Sequence, residues 1–100
     1  MARRRGGPFV SDCLSPHLPL PQSGAVQLRW FPPFSTGRVW VRAWTCSCRA
    51  VVYELCETGG QAFIRRIVQC EPTPVVLETH RWSSRRGREM WAAVLCGRAR

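Results

Sequence analysis

The feature that most constrains the fold is the pair Gly59-Gly60. It sits between Ala50-Val51-Val52-Tyr53-Glu54-Leu55-Cys56-Glu57-Thr58 and Gln61-Ala62-Phe63-Ile64-Arg65-Arg66-Ile67-Val68, two runs rich in β-branched and aromatic residues. A two-residue type I′ turn needs φ > 0 at both central positions, which glycine adopts without a Cβ penalty, so the stretch predicts a tight antiparallel hairpin. The register then follows: Glu57 faces Ala62, Cys56 faces Phe63, Leu55 faces Ile64, Glu54 faces Arg65, Tyr53 faces Arg66 and Val52 faces Ile67. Strand side chains alternate between faces. One face therefore collects Val51, Tyr53, Leu55, Ile64, Arg66 and Val68, and the other Val52, Glu54, Cys56, Phe63, Arg65 and Ile67. The opposite charges of Glu54 and Arg65 support this register by a few tenths to about 1 kcal/mol, and a one-residue slip would exchange the faces.

The remaining elements are read outward from the hairpin. Arg38 to Cys48 alternates as a leading strand, with Trp40, Trp44, Cys46 and Cys48 on one side and Val39, Val41 and Ala43 on the other. Pro72 and Pro74 stop ladder pairing because proline lacks the donor. Val75 to Trp82 then reads as a third core strand. Ser83 or Ser84 caps a final helix whose stripe is Met90, Trp91, Val94 and Leu95, with Gly97 as its stop. The fold class expected is α+β: a small three- to four-stranded antiparallel sheet (β-β-β-α core) packed by one C-terminal helix, spanning 38–100. Residues 1–37 hold six of the eight prolines and show neither helical nor strand periodicity, so they read as a disordered Pro/Arg-rich extension. Translated GC-rich upstream DNA has the same character, with Val39 or Val41 then a GTG start.

Charge enters because the chain carries +9. An excess of this size suggests nucleic acid or another anionic partner. All fifteen basic residues are Arg, there is no Asn, and Ile64 and Ile67 are the two isoleucines, the pattern of a high-GC genome that inflates Arg without selection for binding. The excess is also spread out, +3 over 1–35 and +6 over 36–100, with Arg3-Arg4-Arg5 a weak cue for a basic arm. Asp12 and Pro16 interrupt the apolar run that a secretory signal would need, and no run approaches the length of a membrane span. A cytoplasmic, thiol-reducing location is the resulting expectation.

Six cysteines raise the question of zinc. The set available to a metal in the domain is Cys46, Cys48, Cys56 and Cys70, with His80 as a substitute, but the spacing is Cys-x-Cys, then seven residues, then thirteen, and lacks the paired Cys-x2-Cys pattern of structural sites. Reduced, buried thiols are the expectation, and no cofactor is called for. Catalytic residues are scarce. His17 and His80 are the two histidines, nothing in the sequence joins either to a cysteine, and Gly59-Gly60 lacks the helix terminus of a phosphate loop, so no enzyme is expected.

Two resemblances follow from these residues. Trp44-Thr45-Cys46 through Tyr53-Glu54-Leu55-Cys56-Glu57-Thr58-Gly59-Gly60-Gln61-Ala62-Phe63-Ile64-Arg65-Arg66, with Trp91-Ala92-Ala93-Val94-Leu95-Cys96-Gly97-Arg98, resembles short uncharacterised proteins of high-GC bacteria, which imply no activity. Three antiparallel strands and a helix resemble, in topology alone, the amino-terminal DNA-binding domains of phage-type integrases, which read DNA with the sheet. The leading expectation is a basic binding or accessory module that contacts nucleic acid through Arg65 and Arg66 together with Arg85, Arg86 and Arg88. The alternative is a protein-interaction or homodimer module built on an exposed patch of Trp40, Trp44 and Phe63. A small zinc domain is third.

Overall fold

The structure is a computed structural model that describes residues 14–33 and 37–100. Five strands and one helix follow in order: β1 (Trp40–Trp44), β2 (Val51–Thr58), β3 (Gln61–Val68), β4 (Val75–Glu78), β5 (Trp82–Ser83) and α1 (Ser84–Leu95). Strands β1 to β4 lie side by side in chain order, each antiparallel to the next, and β5 pairs with the start of β3. The chain thus adopts the α+β class that the sequence predicts.

The hairpin has the expected register along its whole length, from Thr58 opposite Gln61 to Val51 opposite Val68. Gly59 and Gly60 turn it with φ of 54° and 79°, the positive values that a primed turn requires. Helix α1 starts at the Ser83 cap, whose Oγ accepts from the Arg86 amide at 3.1 Å. It lies on the hairpin face of Tyr53, Leu55 and Ile64, where Met90, Trp91 and Val94 close the core. The approach is tight at Gly87, because a Cβ there would overlap that of the fully buried Ala62.

Two irregularities depart from the simple strand pattern. Pairing of β1 with β2 shifts between Val41 and Ala43, so Trp40 stands opposite Glu57 while Trp44 stands opposite Glu54. Glu57 and Glu54 belong to opposite faces of β2. Cross-strand partners share a face, so this bulge separates the two tryptophans that strict alternation puts together.

The expected third strand is likewise two pieces. At the break, the buried Thr79 donates its amide to the Ile64 carbonyl at 2.9 Å and receives the Ile64 amide on Oγ1 at 3.0 Å. A side chain here replaces a backbone acceptor, and β5 resumes pairing one residue out of register with β4. Thr45 plays the same part after β1, accepting the Tyr53 amide on Oγ1 at 2.9 Å.

Residues 14–33 are irregular, as their composition implies, but they do not lie in solvent as a tail. Phe31 exchanges two backbone hydrogen bonds with Glu78, of 2.7 and 2.8 Å, at the outer edge of β4. Val26 bonds Arg98 and Arg100, while Leu18, Leu28 and Trp30 pack against the helix-side core. Of the segment set apart at the 37/38 boundary, residues 14–33 are therefore part of the packing. Arg3-Arg4-Arg5 and the rest of 1–13 lie outside the described residues.

Candidate functional site

The sheet face turned away from α1 is the surface that the sequence reading left open for nucleic acid. It is closed. Phe63 and Cys56 have no exposure, and the Arg81 and Arg65 guanidinium carbons stand 3.9 and 5.8 Å from the Phe63 ring centroid. Arg65 is held by two carboxylates, donating from Nη1 to Glu54 at 3.2 Å and from Nε to Glu78 at 3.2 Å. Arg81 Nη1 lies 3.6 Å from the other Glu78 oxygen. A nearly buried carboxylate thus sits between two guanidiniums, and removing one partner of such a pair is strongly destabilising. Beneath this lid, burial pushes the Cys56 thiol up to about 12 against the opposing pull of Arg65. Arg65 is thus held in two ion pairs, and Phe63 drops out of the exposed patch.

The other expected nucleic-acid contacts do not converge with Arg65. Arg66, the next residue on β3, lies on the opposite face, its guanidinium 4.6 Å from the Trp30 ring centroid. Arg85, Arg86 and Arg88 extend from the start of α1 with side chains 89, 59 and 63 % exposed. Arg85 and Arg86 lie near Glu89, and Arg88 lies 4.0 Å from Glu57.

That last contact leads to a surface that the sequence reading did not assemble. Glu57 also accepts from Arg42 Nε at 3.0 Å, and the Arg42 guanidinium lies 5.7 Å from the Trp40 ring centroid. Arg38 approaches the same ring at 5.2 Å. Trp40 is 50 % exposed, at the edge of the sheet. Arg38, Trp40, Arg42, Glu57 and Arg88 therefore run as one band from the β1 edge to the start of α1. The signal lies in Arg38-Val39-Trp40-Val41-Arg42, an arginine two residues to either side of a tryptophan, but within the sequence it shows only as strand alternation.

The cysteines divide differently from the set considered for zinc. Cys56 is buried under the arginine lid, and Cys70 is exposed, its Sγ 3.4 Å from the Thr73 carbonyl. Cys46 and Cys48 come together with sulfurs 3.3 Å apart, and the Cys48 sulfur lies 3.2 Å from His17 Nε2. His80, the substitute considered, is elsewhere, edge-on to Trp82 with centroids 5.0 Å apart. His17 is not legible as a partner of these cysteines in the sequence, because it lies in the Pro-rich stretch that lacks helical or strand periodicity.

Comparison with protein-family models, with curated proteins and with solved structures finds no match to this chain. No helix among the described residues is long and apolar enough to cross a membrane.

Proposed function

We propose that the chain is a small nucleic-acid-binding module that holds an unpaired strand along the β1 edge. Trp40 serves as the stacking platform, and Arg38, Arg42 and Arg88 serve as the phosphate contacts. The observation that carries this reading is the half-exposed Trp40 ring with guanidiniums 5.2 and 5.7 Å from its centroid. Single-stranded nucleic acid is bound by aromatic faces interleaved with arginine, because every base has a stacking face and every nucleotide a phosphate. The +9 charge and the exposed arginines of α1 supply the long-range attraction. Relative to the sequence expectation, the partner class is kept and the contact moves from the Arg65 face to the Trp40 edge.

The test is a fluorescence-anisotropy titration of labelled single-stranded and duplex oligonucleotides with the full chain at two salt concentrations. Loss of one stacked base is worth about 1–3 kcal/mol, so Trp40→Ala should weaken single-strand binding by roughly one to two orders of magnitude. Affinity should fall as salt rises, through counterion release. Binding that is indifferent to both salt and Trp40→Ala defeats the proposal.

A second reading is favoured by Val41 and Trp44, 40 and 53 % exposed on the same edge strand. An edge strand with exposed apolar side chains can take an added strand from a protein partner or a second copy. Failure of every oligonucleotide to bind, with a sedimentation mass that rises with concentration, would select self-association through this edge.

A further inference from the structure

We propose that His17, Cys46 and Cys48 form a zinc site that fastens the amino-terminal segment to the turn between β1 and β2. Their three ligand atoms lie within 4.8 Å of one another. Zinc takes thiolate at about 2.3 Å and imidazole nitrogen at about 2.0–2.1 Å in tetrahedral array, which sets S···S and S···N edges of about 3.8 and 3.6 Å. The observed Cys46–Cys48 and Cys48–His17 separations of 3.3 and 3.2 Å fall a few tenths of an ångström inside those edges, so the Cys48 sulfur must move away from both neighbours to admit an ion. The sulfur separation is far beyond the roughly 2.05 Å of a disulfide. Soft thiolate with imidazole, in a tetrahedral arrangement, selects zinc over the hard cations.

The surrounding backbone builds the site independently of any ion. The Cys46 amide donates to the Pro16 carbonyl at 2.9 Å, which brings residue 17 to the turn. Gln69 Nε2 donates to the carbonyls of Ser47 and Arg49, at 2.9 and 2.6 Å, bracketing Cys48. Thr45 is tied to Tyr53 through both amides, at 2.9 Å each. Cys46 is buried, while Cys48 and His17 are exposed, so the cluster has one anchored ligand and a solvent-facing side through which an ion enters. The fourth vertex falls on that solvent-facing side, where a water completes the tetrahedron.

The ligand set is independent of the β1-edge proposal, and its test does not depend on nucleic acid. Full-length chain, purified with reductant and stripped with chelator, is titrated with Co²⁺ as a spectroscopic stand-in and then with Zn²⁺ against a chromophoric chelator. One equivalent of Co²⁺ should give the visible bands of a tetrahedral site and a thiolate charge-transfer band, both displaced by Zn²⁺. His17→Ala and Cys48→Ser replace exposed side chains and are checked for folding by circular dichroism. Each should cost more than the roughly 10–100-fold that loss of a mere outer-shell partner costs. Cys70→Ser, away from the cluster, should change nothing. An octahedral Co²⁺ spectrum, affinity unchanged in folded His17→Ala and Cys48→Ser, or an equal loss in Cys70→Ser would each overturn the assignment.

Discussion

Cys56 shows how a single side chain records its surroundings. It has no exposure, it lies under Arg65 and Arg81, and its thiol is pushed up from 9.0 to about 12 chiefly by desolvation. The linkage has a definite sign. Below about pH 9, folded and unfolded states both hold the proton, so the contribution to stability is fully present. Between about 9 and 12 the unfolded chain releases its proton while the folded chain keeps it, so stability falls as pH rises and levels off only above the folded value. The urea midpoint should therefore fall more steeply from pH 8 to pH 11 in the wild type than in Cys56→Ala, with the difference approaching 1.36 kcal/mol per pH unit. Parallel profiles would mean that Cys56 titrates as an exposed thiol does. The sequence placed Cys56, Phe63 and Arg65 on one face correctly, through strand alternation. It could not show that Arg81 covers that face, because Arg81 arrives through the offset at Thr79, where a hydroxyl substitutes for a peptide group.

At the scale of elements, local chemistry sufficed wherever a turn or cap was specified by its own residues. Gly59-Gly60 set the hairpin register, and Ser83 set the start of α1. The bulge in β1 was not legible. Nothing in Trp40-Val41-Arg42-Ala43-Trp44 marks where alternation fails, and the position is decided by pairing with β2. Gly87 was equally silent, since helix propensity argues against a glycine inside a helix. Its reason is the crossing with β3, where Ala62 fills the space that a Cβ would take. Gly87→Ala gains about 1 kcal/mol of propensity. It must also force apart two backbones whose contact atoms are a Cβ and a Cα with no rotamer freedom, and overpacking typically costs about 1–3 kcal/mol. The net expectation is a lower melting temperature than the wild type, with the exposed Arg88→Ala as control. A Gly87→Ala chain that melts higher than the wild type would show that the helix shifts freely on the sheet.

On the scale of the whole molecule, the question is what residues 14–33 do for the remainder. Composition marked the segment as unstructured because it lacks periodicity, and periodicity reports only regular elements. An irregular strand can still be held by backbone bonding, provided that partners wait for it elsewhere. They do here: the Gln22 amide donates to Gly97, Val26 bonds Arg98 and Arg100, the Leu28 amide donates to Arg100, Phe31 exchanges two bonds with Glu78, and the Pro16 carbonyl accepts from the Cys46 amide. Gln22 Nε2 adds a bond to the Cys46-distant Cys96 carbonyl, and Arg100 donates to the Pro19 carbonyl. Each backbone bond is worth roughly 0.5–1.5 kcal/mol net, and the packing of Leu18, Leu28 and Trp30 on the core adds burial of apolar surface. The same contacts cover the outer edge of β4 and part of the helix-side core, which the remainder of the chain leaves open on its own. Residues 38–100 alone should therefore lose the cooperative thermal transition, bind a dye for exposed apolar surface, and pair through the uncovered edge of β4, whereas the full chain should melt in one step. Calorimetry and dye fluorescence on the two chains side by side decide the matter. A 38–100 fragment that melts cooperatively within a few degrees of the full chain would mean that the segment merely rests on a finished core, and zinc at His17 would then fasten something that the fold does not need.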